Sequence, residues 1–273
     1  MNHAFESSLS LGRILFLADD PALITQQLEG RTLNAETAGS LRDDVSTDEI
    51  TPVSILSHYD ETLGRFVYTG LNVAGITPIP CGAMAGSGIE VVVAGHRYGK
   101  GSSREHSPAA ERHAGVRLVI AKSFERIYRQ NADNIGLLTS TDFGLIARIQ
   151  RGERISVEEI VSDRDELAAG IIRSGGLLRF GQRHMRQVVP AAIPVPDVPL
   201  TLFEKIIARN LVHTDLTPAF PQPGGGAFVR AEWRFIHEYY TAMCAHMLQS
   251  TFGERFSVFE PDSVLVFEDH TSY

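Results

Sequence analysis

Residues 100–108 read KGSSREHSP. Gly101 permits close backbone approach. Ser102 and Ser103 bring hydroxyls and backbone N–H groups, and Arg104 brings a planar fork that grips a carboxylate through two parallel bonds. A helix starting just beyond adds positive potential at its N-terminus. Such a set fits a small di- or tricarboxylate. A serine there could also move a proton, if the local field lowered its pKa. The same residues fit a capped surface turn with Glu105 and His106 in solvent. Residue type alone leaves both readings open.

Two other clusters compete for attention. Asp43, Asp44, Asp48 and Glu49 crowd into LRDDVSTDEITP, where they could bind a cation, orient a histidine or simply be solvated. Their spacing is not that of an EF-hand. Asp269 and His270 adjoin near the end of SVLVFEDHTSY (263–273). Neighbours on a strand point to opposite faces, which weighs against a ready-made pair. His213, His237 and His246 are scattered without HExxH-like spacing, so no metal site is assigned. CGAMAGSG (81–88) is not GxGxxG, and GHRYGKGS (95–102) misses the phosphate-loop spacing by one residue.

The elements that must position these residues are short. GRILFLA (12–18), EVVVAG (90–95) and VRLVIA (116–121) read as buried strands. SPAAERHAG (107–115) predicts a helix with Ser107 as N-cap, Pro108 in the first turn and Gly115 at the end. SFERIYRQNADNIGLL (123–138) starts as a helix and runs into Asn and Gly. RISVEE (154–159) alternates like a strand, and SGGLLRFGQRH (174–184) reads as a turn or helix end. Alternation of strand and helix predicts an α/β domain over residues 1–187. VVPAAIPVPDVP (188–199), with four prolines, reads as a stiff linker. Beyond it, TLFEKIIARNLV (201–212) is an amphipathic helix, RFIHEYYTAMCAHML (234–248) a second helix, and SVLVFED a strand. Residues 200–273 make a small second unit that folds weakly alone or needs a partner.

Bulk composition narrows the function classes. The 273 residues carry 25 Lys plus Arg against 33 Asp plus Glu, a net charge of −8, which argues against general nucleic-acid binding. No apolar run is long enough for a membrane span. MNHAFESSLS lacks the basic start and apolar stretch of a signal peptide, so a cytoplasmic location with reduced thiols is expected. The two cysteines, Cys81 and Cys244, form no CxxC pair and cannot supply the usual ligands of an iron–sulfur cluster.

GKGSSREHSPAAERHAGVRLVIAKSFERIYRQNADNIGLL (99–138) closely resembles the aconitase family, in particular its swivelling domain, the small subunit of 3-isopropylmalate dehydratase. DDVSTDEITP (43–52) resembles that domain's earlier site motif, and the resemblance extends over roughly residues 35–185. It implies an aconitase-type swivelling β/β/α fold. It implies a hydro-lyase or isomerase that dehydrates and rehydrates a hydroxy di- or tricarboxylic acid. By the same resemblance Ser102 is the base, Ser103 and Arg104 hold substrate carboxylate, and Asp48 supports the catalytic groups. Arg65, in SHYDETLGRFVYTG (57–70), is a candidate second carboxylate ligand in the region that tunes specificity, or else a salt-bridged surface arginine.

TLFEKIIARNLV and VFEDHTSY resemble the opening helix and an early strand of the family's large, cluster-bearing subunit. There the match gives His270, beside Asp269, the task of helping the substrate hydroxyl depart. The order of the two parts is reversed from the single-chain aconitases, and neither cysteine falls in a cluster motif. A 4Fe–4S cluster is therefore expected in a partner subunit or in the remainder of a longer chain, and this chain should be inactive without it. Two alternatives remain: a cluster-independent hydratase or isomerase using the same serine loop, or a non-catalytic regulatory or assembly protein that kept the fold.

Overall fold

The runs VVVA and LVIA are too short for helices and rich in β-branched residues, with no polar face to show to water. Strands of that kind must be covered on both sides. In the computed structural model, which describes residues 6–184, 197–212 and 219–268, they form the centre of a parallel sheet. The chain enters through β1 (Ser8–Leu9), β2 (Arg13–Phe16), α1 (Pro21–Leu28) and α2 (Thr47–Ile50). Then β3 (Ile89–Ala94), α3 (His106–His113), β4 (Leu118–Ala121), α4 (Arg126–Ile135) and β5 (Leu138–Ser140) alternate. Next come α5 (Gly144–Gln150), β6 (Ile155–Ser156), α6 (Val157–Val161), α7 (Glu166–Arg173) and α8 (Leu177–His184). The main sheet runs β2-β3-β4-β5, all parallel, and β1 pairs antiparallel with β6. Val91, Val92, Val93, Leu118, Val119 and Ile120 are fully buried, as two-sided coverage requires. The α/β expectation holds.

Three local expectations give way. Ser107 does not cap α3. The helix starts at His106, with Glu105 at the cap position, two residues before Ser107, and Ser107 sits inside its first turn, fully buried. Its hydroxyl is drawn inward by the Thr47 carbonyl (3.1 Å) and Thr51 Oγ1 (2.6 Å). RISVEE is a strand for only two residues, because the Ser156 side chain accepts a hydrogen bond from Glu158 N and starts α6. RFIH (234–237) is a strand, and the helix predicted from 234 begins at Glu238. The end of α3 is as expected: Gly115 adopts φ +100 just past the last helical turn.

Contacts divide the chain into two units. One comprises Met1–Asp163 with Ile171–Leu177, the other Arg164–Gly170 with Leu178–Tyr273. Past residue 200 the second unit adds α9 (Leu202–Asn210), β7 (Leu211–Val212), β8 (Phe228–Val229), β9 (Arg234–His237), α10 (Glu238–Phe252) and β10 (Val264–Phe267). β9 and β10 pair in parallel, β7 and β8 antiparallel. Within it Phe180 is buried against His184 and Phe228. The amphipathic helix α9 forms as predicted, with a capping box between Thr201 and Glu204, yet its apolar residues Leu202 and Phe203 are exposed. Most of the proline-rich stretch 188–199 lies outside the described residues. No helix among the described residues is long and apolar enough to cross a membrane.

β2 is an edge strand, and its free side is closed by one side chain. Gln27, buried on α1, accepts from Phe16 N (2.8 Å) and donates to Phe16 O (2.9 Å), standing in for a neighbouring strand. Its amide also reaches Leu23 O at 3.1 Å. Gln27→Leu keeps similar bulk but leaves Phe16 N without its acceptor and Phe16 O with only the Ala18 N–H, at 3.0 Å. It should destabilise the first unit by about 2–3 kcal/mol, read as a lower midpoint in urea unfolding. An unchanged midpoint would mean the edge is satisfied some other way.

Candidate active site

The site begins at α2. Ser46 accepts from Glu49 N (3.1 Å), and the Glu49 carboxylate accepts from Ser46 N (2.8 Å), a complete capping box. Glu49 is further paired with Arg42 at 3.1 Å. The other acids of the cluster are also occupied. Asp43 accepts from His96 N at 2.6 Å, and Asp44 pairs with Arg97 at 3.2 Å and with Lys100 at 3.7 Å. Asp48 alone turns to the expected site, where its carboxylate meets Arg104.

The serine loop lies along this segment like a short parallel strand. Gly99 N and Lys100 N both donate to Val45 O, at 2.9 and 3.2 Å. Thr47 N donates to Lys100 O at 2.7 Å, and Ser102 N donates to Thr47 Oγ1 at 3.1 Å. Two glycines make this possible. Gly99, at φ +80, lies so close to the Tyr128 ring that a Cβ would be driven into it, and Gly101, at φ +114, passes over Thr47 Oγ1. Asn131 on α4 donates to Ser103 O at 3.0 Å.

The side chains are thereby set out in a particular way. Ser102 and Ser103 are exposed, and their hydroxyls make no hydrogen bond among the described residues. Arg104 is 8% exposed, while the carboxylate-bearing side chain of Asp48 is 60% exposed. Apart from the Asp48 contact, the Arg104 guanidinium donates to no protein group among the described residues. Glu105 and His106 are not the solvated pair of a surface turn. Burial raises the Glu105 pKa. His106 is buried, with Nε2 at 3.1 Å from Leu56 O and Nδ1 without a partner among the described residues. Burial, helped by the charge of Arg104 and opposed by the Leu56 carbonyl, lowers its pKa. The neutral imidazole is thereby favoured.

Not every candidate is gathered here. Arg65 lies in a short 3-10 turn, exposed, with no ion pair among the described residues. Its neighbour Gly64 packs on His113 and Ala114, at the end of α3 opposite to the serine loop. Asp269 and His270 lie outside the described residues. Ser102, Ser103, Arg104 and Asp48 are the four that the structure brings together.

Beneath the loop is a cluster that the sequence reading missed. Glu111, on α3, is fully buried and accepts from the hydroxyls of Tyr68 (2.6 Å), Tyr98 (2.6 Å) and Tyr128. The Tyr68 and Tyr98 hydroxyls also lie 2.7 Å apart. Burial pushes the Glu111 pKa up to about 7, against the three phenols, which hold it down. Burial, then the Glu111 charge, raises all three tyrosines above their usual range. A signal for Glu111 existed: Ser107, Ala110, Glu111 and Ala114 recur at helical spacing on the buried side of α3.

Among the described residues no group of three or more His, Cys, Asp or Glu is arranged to hold a metal ion. Cys81 is exposed and Cys244 half-buried, and no disulfide joins them.

Comparison with known proteins converges on one family. The family described as the Aconitase C-terminal domain matches residues 83–141, which include the serine loop, α3, β4 and α4. The 3-isopropylmalate dehydratase small subunit of Syntrophus aciditrophicus is 38% identical over 117 residues, 42% of this chain and 67% of that protein. Small subunit 2 of the Archaeoglobus fulgidus enzyme is 34% identical over 161 residues, covering 52% of this chain and 90% of its own length. The isopropylmalate/citramalate isomerase small subunit of Methanocaldococcus jannaschii is 30% identical over 160 residues, 53% and 91%. A crystal structure of 3-isopropylmalate dehydratase from that archaeon aligns at 28% identity over 52% of this chain and 88% of its own, with a TM-score of 0.39. The chain therefore belongs to the aconitase family, among the small subunits of the 3-isopropylmalate dehydratase type.

Proposed function

We propose that this chain supplies the serine base and the carboxylate clamp of an aconitase-type hydro-lyase acting on a hydroxy di- or tricarboxylic acid, of the isopropylmalate or aconitate kind. The observation that carries the reading is the pairing of two exposed serine hydroxyls with a buried arginine whose remaining donors have no protein acceptor among the described residues. Arg104 binds one substrate carboxylate with its unused N–H groups, and Ser103 adds a hydroxyl. Asp48 holds the guanidinium in place meanwhile. Ser102 Oγ takes the proton from the carbon next to the hydroxyl-bearing carbon. The C–H electrons become the C=C bond as the C–O bond breaks, and the hydroxyl leaves, protonated, as water. Addition runs the same steps in reverse. The charge of Arg104, two residues on, and the N-terminus of α3, which starts at His106, favour the alkoxide form of Ser102 in this reading.

The hydroxyl end is assigned to Asp269–His270 and to a partner. The family resemblance implies a 4Fe–4S cluster whose iron makes the hydroxyl a better leaving group when it is bound. The described residues of this chain do not fit that group, so it belongs with a cluster-bearing large subunit or the remainder of a longer chain. In this reading residues 1–187 are the swivelling domain, 188–199 the hinge and 200–273 a partial large-domain segment, in the cytoplasm.

The test is reconstitution with an aconitase-family large subunit from the same source, with 3-isopropylmalate as substrate. Ser102→Ala should lower kcat by about a hundred- to ten-thousand-fold with no change in unfolding midpoint. Full turnover by that variant would sink the serine assignment. Arg104→Lys keeps the charge but loses the fork, so KM should rise about tenfold or more. An unchanged KM would remove Arg104 from carboxylate binding. Turnover by the isolated, iron-free chain would favour a cluster-independent hydratase instead.

A further inference from the structure

The tyrosine-ringed carboxylate under the loop has no part in the chemistry above. It is buried at a position where an uncompensated acid would be expensive, so its three phenol partners need an explanation. Each comes from a different part of the first unit. Tyr98 lies just before Gly99, at the base of the serine loop, and its backbone N–H is held by Ser123 O at 3.0 Å. Tyr128 projects from α4, and its ring is the surface on which Gly99 rests. Tyr68 follows the 3-10 turn and is itself held at φ +60, a conformation rare for a bulky residue. Glu111 joins all three to α3, the helix that the loop leads into.

We propose that Glu111 is a positioning residue for the serine loop, and that loosening of the loop is coupled to loss of a proton from this cluster. This rests on the reading of Ser102–Arg104 as the reacting site. The charged groups of the packed elements turn elsewhere: Arg104 to Asp48, Arg112 to Ile135 O, Arg129 to Asp163 and His106 to Leu56 O. On α3 itself His113 is exposed and Glu105 is half-buried. Among the described residues only the three phenols are bonded to the Glu111 carboxyl, and no cation pairs with it.

The sign follows from linkage. Glu111 in the closed cluster holds its proton up to about pH 7, whereas a hydrated glutamate loses it at the ordinary carboxylate value. Between those values the closed form binds more protons than the open one. Closure is therefore strongest at low pH, weakens as pH rises, and levels off above the Glu111 pKa. Tyr98 holds that pKa down, so deleting its hydroxyl should move the transition to higher pH.

Amide hydrogen exchange on the full chain tests this. Protection factors at Gly99 and Lys100, corrected for intrinsic rates, should fall by about tenfold or more between about pH 5 and about pH 8. Glu111→Gln carries no titrating proton and should give a flat profile. Tyr98→Phe should keep the fall and shift its midpoint upward. A flat wild-type profile overturns the proposal, as does a Glu111→Gln profile with the wild-type slope. Should Glu111→Gln fail to fold, an unshifted midpoint in Tyr98→Phe overturns it equally. Exchange needs neither substrate nor partner. A flat profile thus sinks the coupling and leaves the Ser102→Ala assay intact, while full turnover by Ser102→Ala sinks the base and leaves the exchange result standing.

Discussion

One buried threonine carries the geometry of the site. Thr47 donates its N–H to Lys100 O, and its hydroxyl oxygen accepts from Ser102 N. Its carbonyl accepts from Thr51 N and from the hydroxyls of Thr51 and Ser107. It is thereby bonded to the serine loop on one side and the first turn of α3 on the other. The residues proposed to react or to bind carboxylate are neighbours of those bonds. Asp48 follows Thr47 directly, so the carboxylate that meets Arg104 is placed by the same short helix. Ser102 has its backbone fixed while its side chain stays open to solvent. A loop that must present an unbonded hydroxyl needs its constraint in the main chain, and Thr47 supplies it there.

The asymmetry between Arg104 and Asp48 matters as much. A buried ion pair closed on both sides is costly to form and hard to lend to a ligand. Here only the arginine is withdrawn from water, and its acid partner stays largely solvated. Asp48 can hold the guanidinium from one side while the remaining donors stay available. The exposed acid adds little to stability, so its placement is better explained by orientation than by folding energy. Glu111 shows the opposite choice. It is removed from water entirely, and three hydroxyls replace its hydration. Phenols give a buried carboxylate hydrogen bonds without a compensating charge, and that is the condition under which it keeps its proton near neutrality.

Much of this was legible in the sequence, for identifiable reasons. The β-branched runs at 89–94 and 118–121 had one physical solution, a sheet covered on both faces. KGSSREHSP stood out for its glycines, small hydroxyls and arginine, but residue type left a surface turn equally open, and it was the resemblance to the aconitase family that singled out Ser102 and Arg104. The first turn of α3 was misread because Ser107 has the right identity for a cap, yet the Thr47 carbonyl and Thr51 hydroxyl, some sixty and fifty-six residues away in sequence, claim it. Glu111 was passed over as one more charge on a helix. Its partners at 68, 98 and 128 share no period with it, so no local pattern joins them. Only the buried stripe of α3 hinted that an acid stood on the wrong face. Long-range hydrogen bonds of this kind are what sequence periodicity does not encode.

The second unit marks a different limit. The periodicity of 201–212 correctly specified a helix with an apolar stripe, but a stripe states only that a face is suited to burial. In the structure Leu202, Phe203 and Ile206 are exposed, and so are Trp233, Phe235 and Phe259. Buried apolar side chains among its described residues are few, Phe180 and Met243 among them. A unit of this size has little apolar surface to hide within itself. The first unit shows the reverse, since nearly every apolar residue of its four-stranded parallel sheet is enclosed. The half of the chain that carries the serine loop is thus internally complete, and its site depends on bonds that lie wholly within it.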